Sequence, residues 1–283
     1  MLATYAKALA GATAIPVARK VGLFGSDGLP ARELVREDVE VEREHLAAYD
    51  RVCGFRLRDE LPATYPHIVA FPLAMQLMTE TSFPFPAIGL VHIANRIELI
   101  RPLVASEPFS VRVWAADLAE HERGTQFLMN AEARVDGAVV WRSASTYLHR
   151  ESNGGGEEKS PRDATQASGG HAIWDVSGDI GRRYAAVSGD RNPIHLHPLS
   201  AKLFGMKRNI AHGMWTKARC LAALEGELPE SYELEVRFKL PIFLPAKVAF
   251  DAARDGSGWE FGVTGAKDGK PHLTGRATDL GPA

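Results

Sequence analysis

Cysteine is nearly missing. Cys53 and Cys220 are the only two in 283 residues, and they form no C-x-x-C pair. A disulfide framework and a cysteine-built zinc site are excluded on that count. Long apolar runs are missing too, so no segment has the roughly 18 residues of a membrane-spanning helix. Nor is there an excess of one charge: 33 Lys and Arg face 35 Asp and Glu, a net charge of −2. A nucleic-acid protein usually carries a basic surplus. What is present is an ordinary globular composition, 45% apolar and 24% charged. At about 150 residues per domain the length suits two domains or one large one. A chain of this size buries about three quarters of its unfolded surface and needs no staple.

Met1 to Lys20 is Ala-rich but is interrupted by Lys7 and Pro16. Its basic residues Arg19 and Lys20 follow the mild apolar stretch. A secretory signal has the reverse order, so the reading is an amphipathic N-terminal helix or arm in a cytoplasmic protein. Glu151–Gly170 contains no Ile, Leu, Val, Met, Phe, Trp, Tyr or Cys. Such a stretch cannot offset its ordering entropy by burial, which predicts a flexible linker over 151–170 between halves 1–150 and 171–283.

Both halves predict helix first and strands after. In the second, Ile180, Tyr184 and Val187 share a helical face over Asp179–Val187. A loop, Gly189–His197, leads toward a second helix from His212 to about Leu224. Strand patterns follow at Tyr232–Leu240, Lys247–Ala252, Trp259–Ala266 and Pro271–Asp279, the last two around an Asp268-Gly269 turn. The first half has a helix within Leu61–Met78, with Pro72 read as a first-turn proline. Strands at Gly89–Ile100, Phe109–Asp117, Gln126–Arg134 and Ala138–His149 come next, with a turn at Asp136-Gly137. Arg101-Pro102-Leu103 resembles Leu240-Pro241-Ile242 at an offset of 139, and Phe71-Pro72-Leu73 resembles His212-Gly213-Met214 at 141. Nearly equal offsets suggest a duplication. The fold class is α+β, a helix beside an antiparallel meander in each half.

The chemistry concentrates in Tyr184–Leu224. Asp190, Asn192 and His195 lie around Pro193 and after Gly189, and are read as loop residues because proline interrupts a helix. A carboxylate and an imidazole brought to one point can hold a water and exchange protons with it. Asp-x-Asn-Pro is also plain turn vocabulary, with Asp190 satisfying backbone amides. A zinc site from His195, His197 and His212 is a weaker alternative. His212-Gly213 opens the second helix, where free N–H groups and no side chain at Gly213 offer an oxyanion donor. Simple helix initiation is the bland alternative.

The run SGDRNPIH, followed after a spacer by IAHGM, resembles the MaoC-like dehydratases and (R)-specific enoyl-CoA hydratases. Ser188, Gly189, Asp190, Asn192, Pro193, His195, His212 and Gly213 fall in register, and VRFKLPIFLPAKV from Val236 is similar as well. The resemblance implies a double hot-dog fold, each half a long helix wrapped by an antiparallel sheet, with the first half degenerate. It implies Asp190 and His195 as the catalytic pair. Asn192, Gly213, Ser188 and His212 become substrate-binding residues, with the Gly213 N–H on the thioester carbonyl. His197 departs from the family, which commonly has an acidic residue there. The implied reaction is reversible hydration of trans-2-enoyl thioesters to (R)-3-hydroxyacyl thioesters. No metal and no cofactor is implied beyond the coenzyme A or acyl carrier pantetheine of the substrate, and a homodimer is open. An acyl-CoA thioesterase and a non-catalytic acyl-thioester binding module are the rivals. The first half lacks an SGDxNPxH run and has Pro72, without an N–H, opposite Gly213. It is read as the wall of an acyl tunnel formed by its helix and the strand around Val91–Ile100. His92 and Asn95 are candidates to face that tunnel, with a sheet role favoured for both. Arg191 is read as solvated, and Lys202, Lys207, Arg208 and Lys217 as a solvated face first, with contacts for substrate phosphates as the alternative.

Overall fold

The structure is a computed structural model that describes residues 28–150 and 172–281. The N-terminal arm and the linker predicted over 151–170 lie outside the described residues. The first half runs β1 (Glu33–Val39), α1 (Arg43–Cys53), α2 (Tyr65–Met78), β2 (Leu90–Leu99), β3 (Phe109–His121), β4 (Gly124–Val135) and β5 (Ala138–Arg150). The second runs β6 (Ala172–Val176), α3 (Ile180–Ser188), α4 (Pro193–Leu196), α5 (Pro198–Leu203), α6 (Gly213–Ala223), β7 (Tyr232–Phe238), β8 (Ala246–Asp255), β9 (Gly258–Gly265) and β10 (Pro271–Asp279).

The strands make one antiparallel sheet in the order β1-β3-β4-β5-β2-β7-β10-β9-β8-β6. Read outward from the β2–β7 seam, the two halves repeat one topology. At the seam Arg96 lies opposite Glu235. These two residues are also 139 apart in sequence, the offset of the Arg101 and Leu240 matches. A local two-fold axis through that pair maps one half onto the other. Alternation explains the strands: in β7, Tyr232, Leu234 and Val236 are buried while Glu235 and Arg237 are exposed. The β4–β5 hairpin turns on Asp136 (φ 49°) and Gly137 (φ 80°), both in the left-handed region that a tight hairpin requires. One apolar cluster runs through both halves, from Phe109 and Trp141 to Leu234 and Val263.

Two expectations fail here. Helix α2 starts at Tyr65, so Pro72 is an interior residue and Pro66 takes the first-turn place. Apolar packing around α2 tolerates the lost hydrogen bond: Ile68, Phe71, Met75 and Leu77 are all buried. The equivalence of Pro72 with Gly213 falls with it, because Gly213 begins its helix. Helices α1 and α5 and the strands that open each half, β1 and β6, were not anticipated.

Candidate active site

Helix α3 ends at Gly189, whose left-handed backbone (φ 73°) lets its N–H reach the Ala185 carbonyl at 3.1 Å. The chain then folds tightly on its own side chains. Asp190 N donates to Ser188 Oγ (3.2 Å), and Asn192 N donates to Asp190 Oδ1 (3.1 Å). Asn192 Oδ1 accepts the Ile194 amide (3.3 Å) and caps α4, with Pro193 as its first residue. Pro193 therefore starts a helical turn where a stop was expected. Its missing N–H is not needed at that position and its φ is preset. His195 sits inside this turn.

Gly181 fixes where the turn lies. A Cβ built on it would be 2.0 Å from the His195 carbonyl oxygen, so α3 and α4 touch through backbone. His195 Nδ1 donates to the Ile210 carbonyl (2.9 Å), which leaves Nε2 as the acceptor of the neutral ring. Burial lowers its pKa from the ordinary 6.5, and the nearby Asp190 charge only partly opposes this.

His212 comes next to it. The two rings stack with centroids 3.7 Å apart. His212 Nε2 donates to the Asp190 carbonyl (3.0 Å) and lies 3.7 Å from Asp190 Oδ2, while its Nδ1 is buried without a partner among the described residues. Burial, with His195 adding to it, pushes its pKa down to about 3. Tyr184 packs on its far side, with ring centroids 4.9 Å apart. One carboxylate or ring atom from each of Asp190, His195 and His212 falls within 4.8 Å of the others. His212 is the N-cap of α6, so the helix opens at Gly213 one residue from this cluster. A Cβ on Gly213 would be 2.9 Å from the Phe238 ring, which lies directly against that glycine.

The structure thus gathers Asp190, His195, His212 and Gly213. Ser188 and Asn192 are spent on the loop through the bonds just given. His197 is exposed, and its Nδ1 accepts the Leu199 amide at the start of α5. The zinc reading with His197 fails for that reason. Asp190 would be the third ligand in its place.

A model of the MaoC-like domain matches residues 174–269. The 3-hydroxyacyl-thioester dehydratase X of Mycobacterium tuberculosis is 37% identical over 273 residues, 96% of each chain. This chain belongs to the MaoC-like dehydratase family. The crystal structure of that relative, HtdX, superposes with a TM-score of 0.78 at 36% identity, covering 88% of this chain and 100% of the other. A MaoC-like dehydratase from Phytophthora capsici shares the fold at 18% identity, with a TM-score of 0.73 and coverage of 90% and 98%. The enoyl-CoA hydratase ChsH3 of Mycobacterium tuberculosis is 24% identical over 184 residues, 62% of this chain and 64% of the other. The two-lobed architecture is the double hot-dog fold.

In this MaoC-like chain the first half carries a slot of its own between α2 and the sheet. A narrow slot of about 10 Å³, room for about one water, is lined by His67, Phe71 and Ala74 of α2 and by Met129, Ser143 and Tyr147 of the sheet. Its strands are β3, β4 and β5, and β2 does not line it. Asn95 is buried behind that lining: its Nδ2 donates to Ser143 Oγ (2.9 Å) and Ser145 Oγ (3.0 Å). Lys217 is not solvated. It is fully buried, and Nζ donates to the Asn95 Oδ1, the Asn95 carbonyl (3.1 Å) and the Leu234 carbonyl (2.8 Å). Lys202, Lys207 and Arg208 are exposed. Sequence reasoning missed Gly181, Tyr184 and Phe238. Gly181 is one residue into a helix, where glycine is disfavoured without a packing reason, and that was a legible signal.

Proposed function

We propose that the chain catalyses reversible hydration of trans-2-enoyl thioesters to (R)-3-hydroxyacyl thioesters, as a hydro-lyase of fatty-acid metabolism. The observation that carries it is the convergence of Asp190 and His195 beside the open amide of Gly213. The names of the relatives, a 3-hydroxyacyl-thioester dehydratase and an enoyl-CoA hydratase, support the same reaction. The Gly213 N–H and the start of α6 stabilise negative charge building on the thioester oxygen. That makes C3 electrophilic. A water held by Asp190 and His195 bonds through oxygen to C3. The pair takes one proton from it and returns one to C2, so one water is added in all. Neutral His195, with Nε2 free to accept, is in the state this needs. Ser188 and Asn192 keep Asp190 in place, and His212 holds the Asp190 backbone.

No metal, nucleotide or flavin enters this scheme. The thiol carrier, coenzyme A or the pantetheine arm of an acyl carrier protein, is part of the substrate, and Lys202, Lys207 and Arg208 are cations available to its phosphates. Both halves lie in one chain, so a second copy is not needed to complete the site. The chain is read as a cytoplasmic protein of two hot-dog domains, 1–150 and 171–283. Among the described residues no helix is long and apolar enough to cross a membrane.

The test is Asp190→Asn with crotonyl-CoA, followed at the enoyl thioester absorbance. A loss of about 10²–10⁴ in rate is expected. Near-full activity in a folded variant would refute the assignment, and release of free thiol would point to thioesterase chemistry.

A further inference from the structure

Strand β2 breaks its own alternation once. Asn95, Ile97 and Leu99 are buried in strict alternation. Continued backward, that rule turns Ile93 and Val91 inward and His92 outward. The pairing with β5 slips at this place. His92 lies opposite Tyr147, Ala94 lies opposite Thr146, and Ile93 is left between them without a partner. A one-residue bulge re-aims the side chains that precede it. Asn95 and Ile97 face Ser145 and Ser143, so the slip puts His92, opposite Tyr147, in the same inward row.

There His92 stacks on Tyr147 (centroids 4.7 Å), meets Phe238 edge-on (4.9 Å) and lies 6.3 Å from the near-parallel ring of His67. Phe238 is the ring packed against Gly213. His92 is therefore one side chain away from the amide that opens α6. Its Nε2 is buried and has no partner among the described residues. Burial pushes its pKa down to about 3, so the ring is neutral, and the Asp190 charge is felt there. The Ala94 backbone favours a proton on the ring, and with that proton on Nδ1 the unpartnered Nε2 is the acceptor.

We propose that His92, supplied by the half without the acid–base loop, accepts a hydrogen bond from the 3-hydroxyl of the hydroxyacyl thioester. This rests on the hydratase reading. The enoyl group has no donor to offer Nε2, whereas the hydrated acyl group has one, at C3. The bulge is the device that aims the ring, and His92 is a binding residue that distinguishes the two sides of the reaction.

The experiment measures dissociation constants of 3-hydroxybutyryl-CoA and butyryl-CoA in the full chain carrying Asp190→Asn, which blocks turnover. Adding His92→Phe, which keeps the ring volume and removes the acceptor, is expected to weaken 3-hydroxybutyryl-CoA about tenfold. Butyryl-CoA should change less than about twofold, which also shows that the site is intact. His92→Gln, which keeps an acceptor, is expected to restore much of the preference and stands in if the Phe variant fails to fold. Equal weakening of both ligands would mean packing only and would overturn the proposal. Unchanged binding of both, or no preference for the hydroxyacyl ligand in the chain with His92 intact, would overturn it as well. The hydratase reading fails separately, if the unmodified chain does not turn over crotonyl-CoA.

Discussion

At the scale of single residues, the proposed chemistry turns on which nitrogen holds a proton. Carbonyls of Ile210 and Asp190 take the N–H groups of His195 and His212. Both rings are thus fixed in one neutral tautomer, with the second nitrogen left to accept. His195→Gln is expected to lose about 10²–10⁴ in kcat/KM, as Asp190→Asn does. The double variant should be little worse than either, since the pair acts as a unit; progress curves with crotonyl-CoA check both. The depressed pKa of His195 makes a second prediction. Its basic form persists below the ordinary 6.5, so the acid limb of the kcat/KM profile should lie below that pH. A limb at or above 6.5 would assign the base elsewhere. Cys53 and Cys220 take no part: both are buried, and burial raises both thiols.

At the scale of elements, two glycines set how closely the pieces approach, in different ways. Gly181 meets backbone, with the His195 carbonyl 2.0 Å from an added Cβ, and backbone cannot swing aside. Gly213 meets the tip of the Phe238 ring at 2.9 Å, which can shift. Gly181→Ala should therefore cost about 1–3 kcal/mol of stability and most of the activity, by displacing α4. Gly213→Ala should be milder in stability and still impair activity, with Phe238→Leu restoring part of it. Urea unfolding and kcat/KM on the same samples separate the two cases. Helix α1 shows what was legible and overlooked. Leu46, Tyr49, Asp50 and Cys53 are buried at helical spacing, and Gly54 closes the helix at φ 87°. A charged residue, Asp50, on the buried face hid the apolar stripe.

At the scale of the whole molecule, the halves are joined at β2–β7 and by Lys217 beneath that seam. Burial draws the Lys217 pKa well down, yet three acceptors match the three donors of its ammonium group. Lys217→Met removes the buried donor to Asn95 Oδ1 and to two carbonyls and should cost about 1–3 kcal/mol, read by urea unfolding. Stability should also depend on pH with a definite sign. Burial, as the leading cause in each, pushes His67 down to about 4 and His92 and His212 to about 3. Each gains a proton near pH 6.5 only when unfolded. Below that pH the unfolded chain binds more protons, so stability falls by about 1.4 kcal/mol per pH unit for each ring. Asp50 acts the other way, because burial and then Glu225 raise it to about 7 and the folded chain takes up that proton. The net expectation is a loss of about 3 kcal/mol between pH 6 and pH 5. Urea midpoints across that range check it, and a midpoint that rises on acidification would contradict it.

The order of the strands after each helix, the hairpin turns and the tight loop at Gly189–His195 were written in the sequence. Period, turn residues and close motif spacing act between neighbours in the chain, and Asp190, Asn192 and His195 hold each other within a few residues. Tertiary structure decided what depends on distant partners. His195 and His212 stack across a 17-residue interval. Lys217 is buried because Asn95, 122 residues away, accepts from it. His92 faces inward because β2 slips against β5. Its direction is set by pairing with another strand, and no pattern within β2 records it.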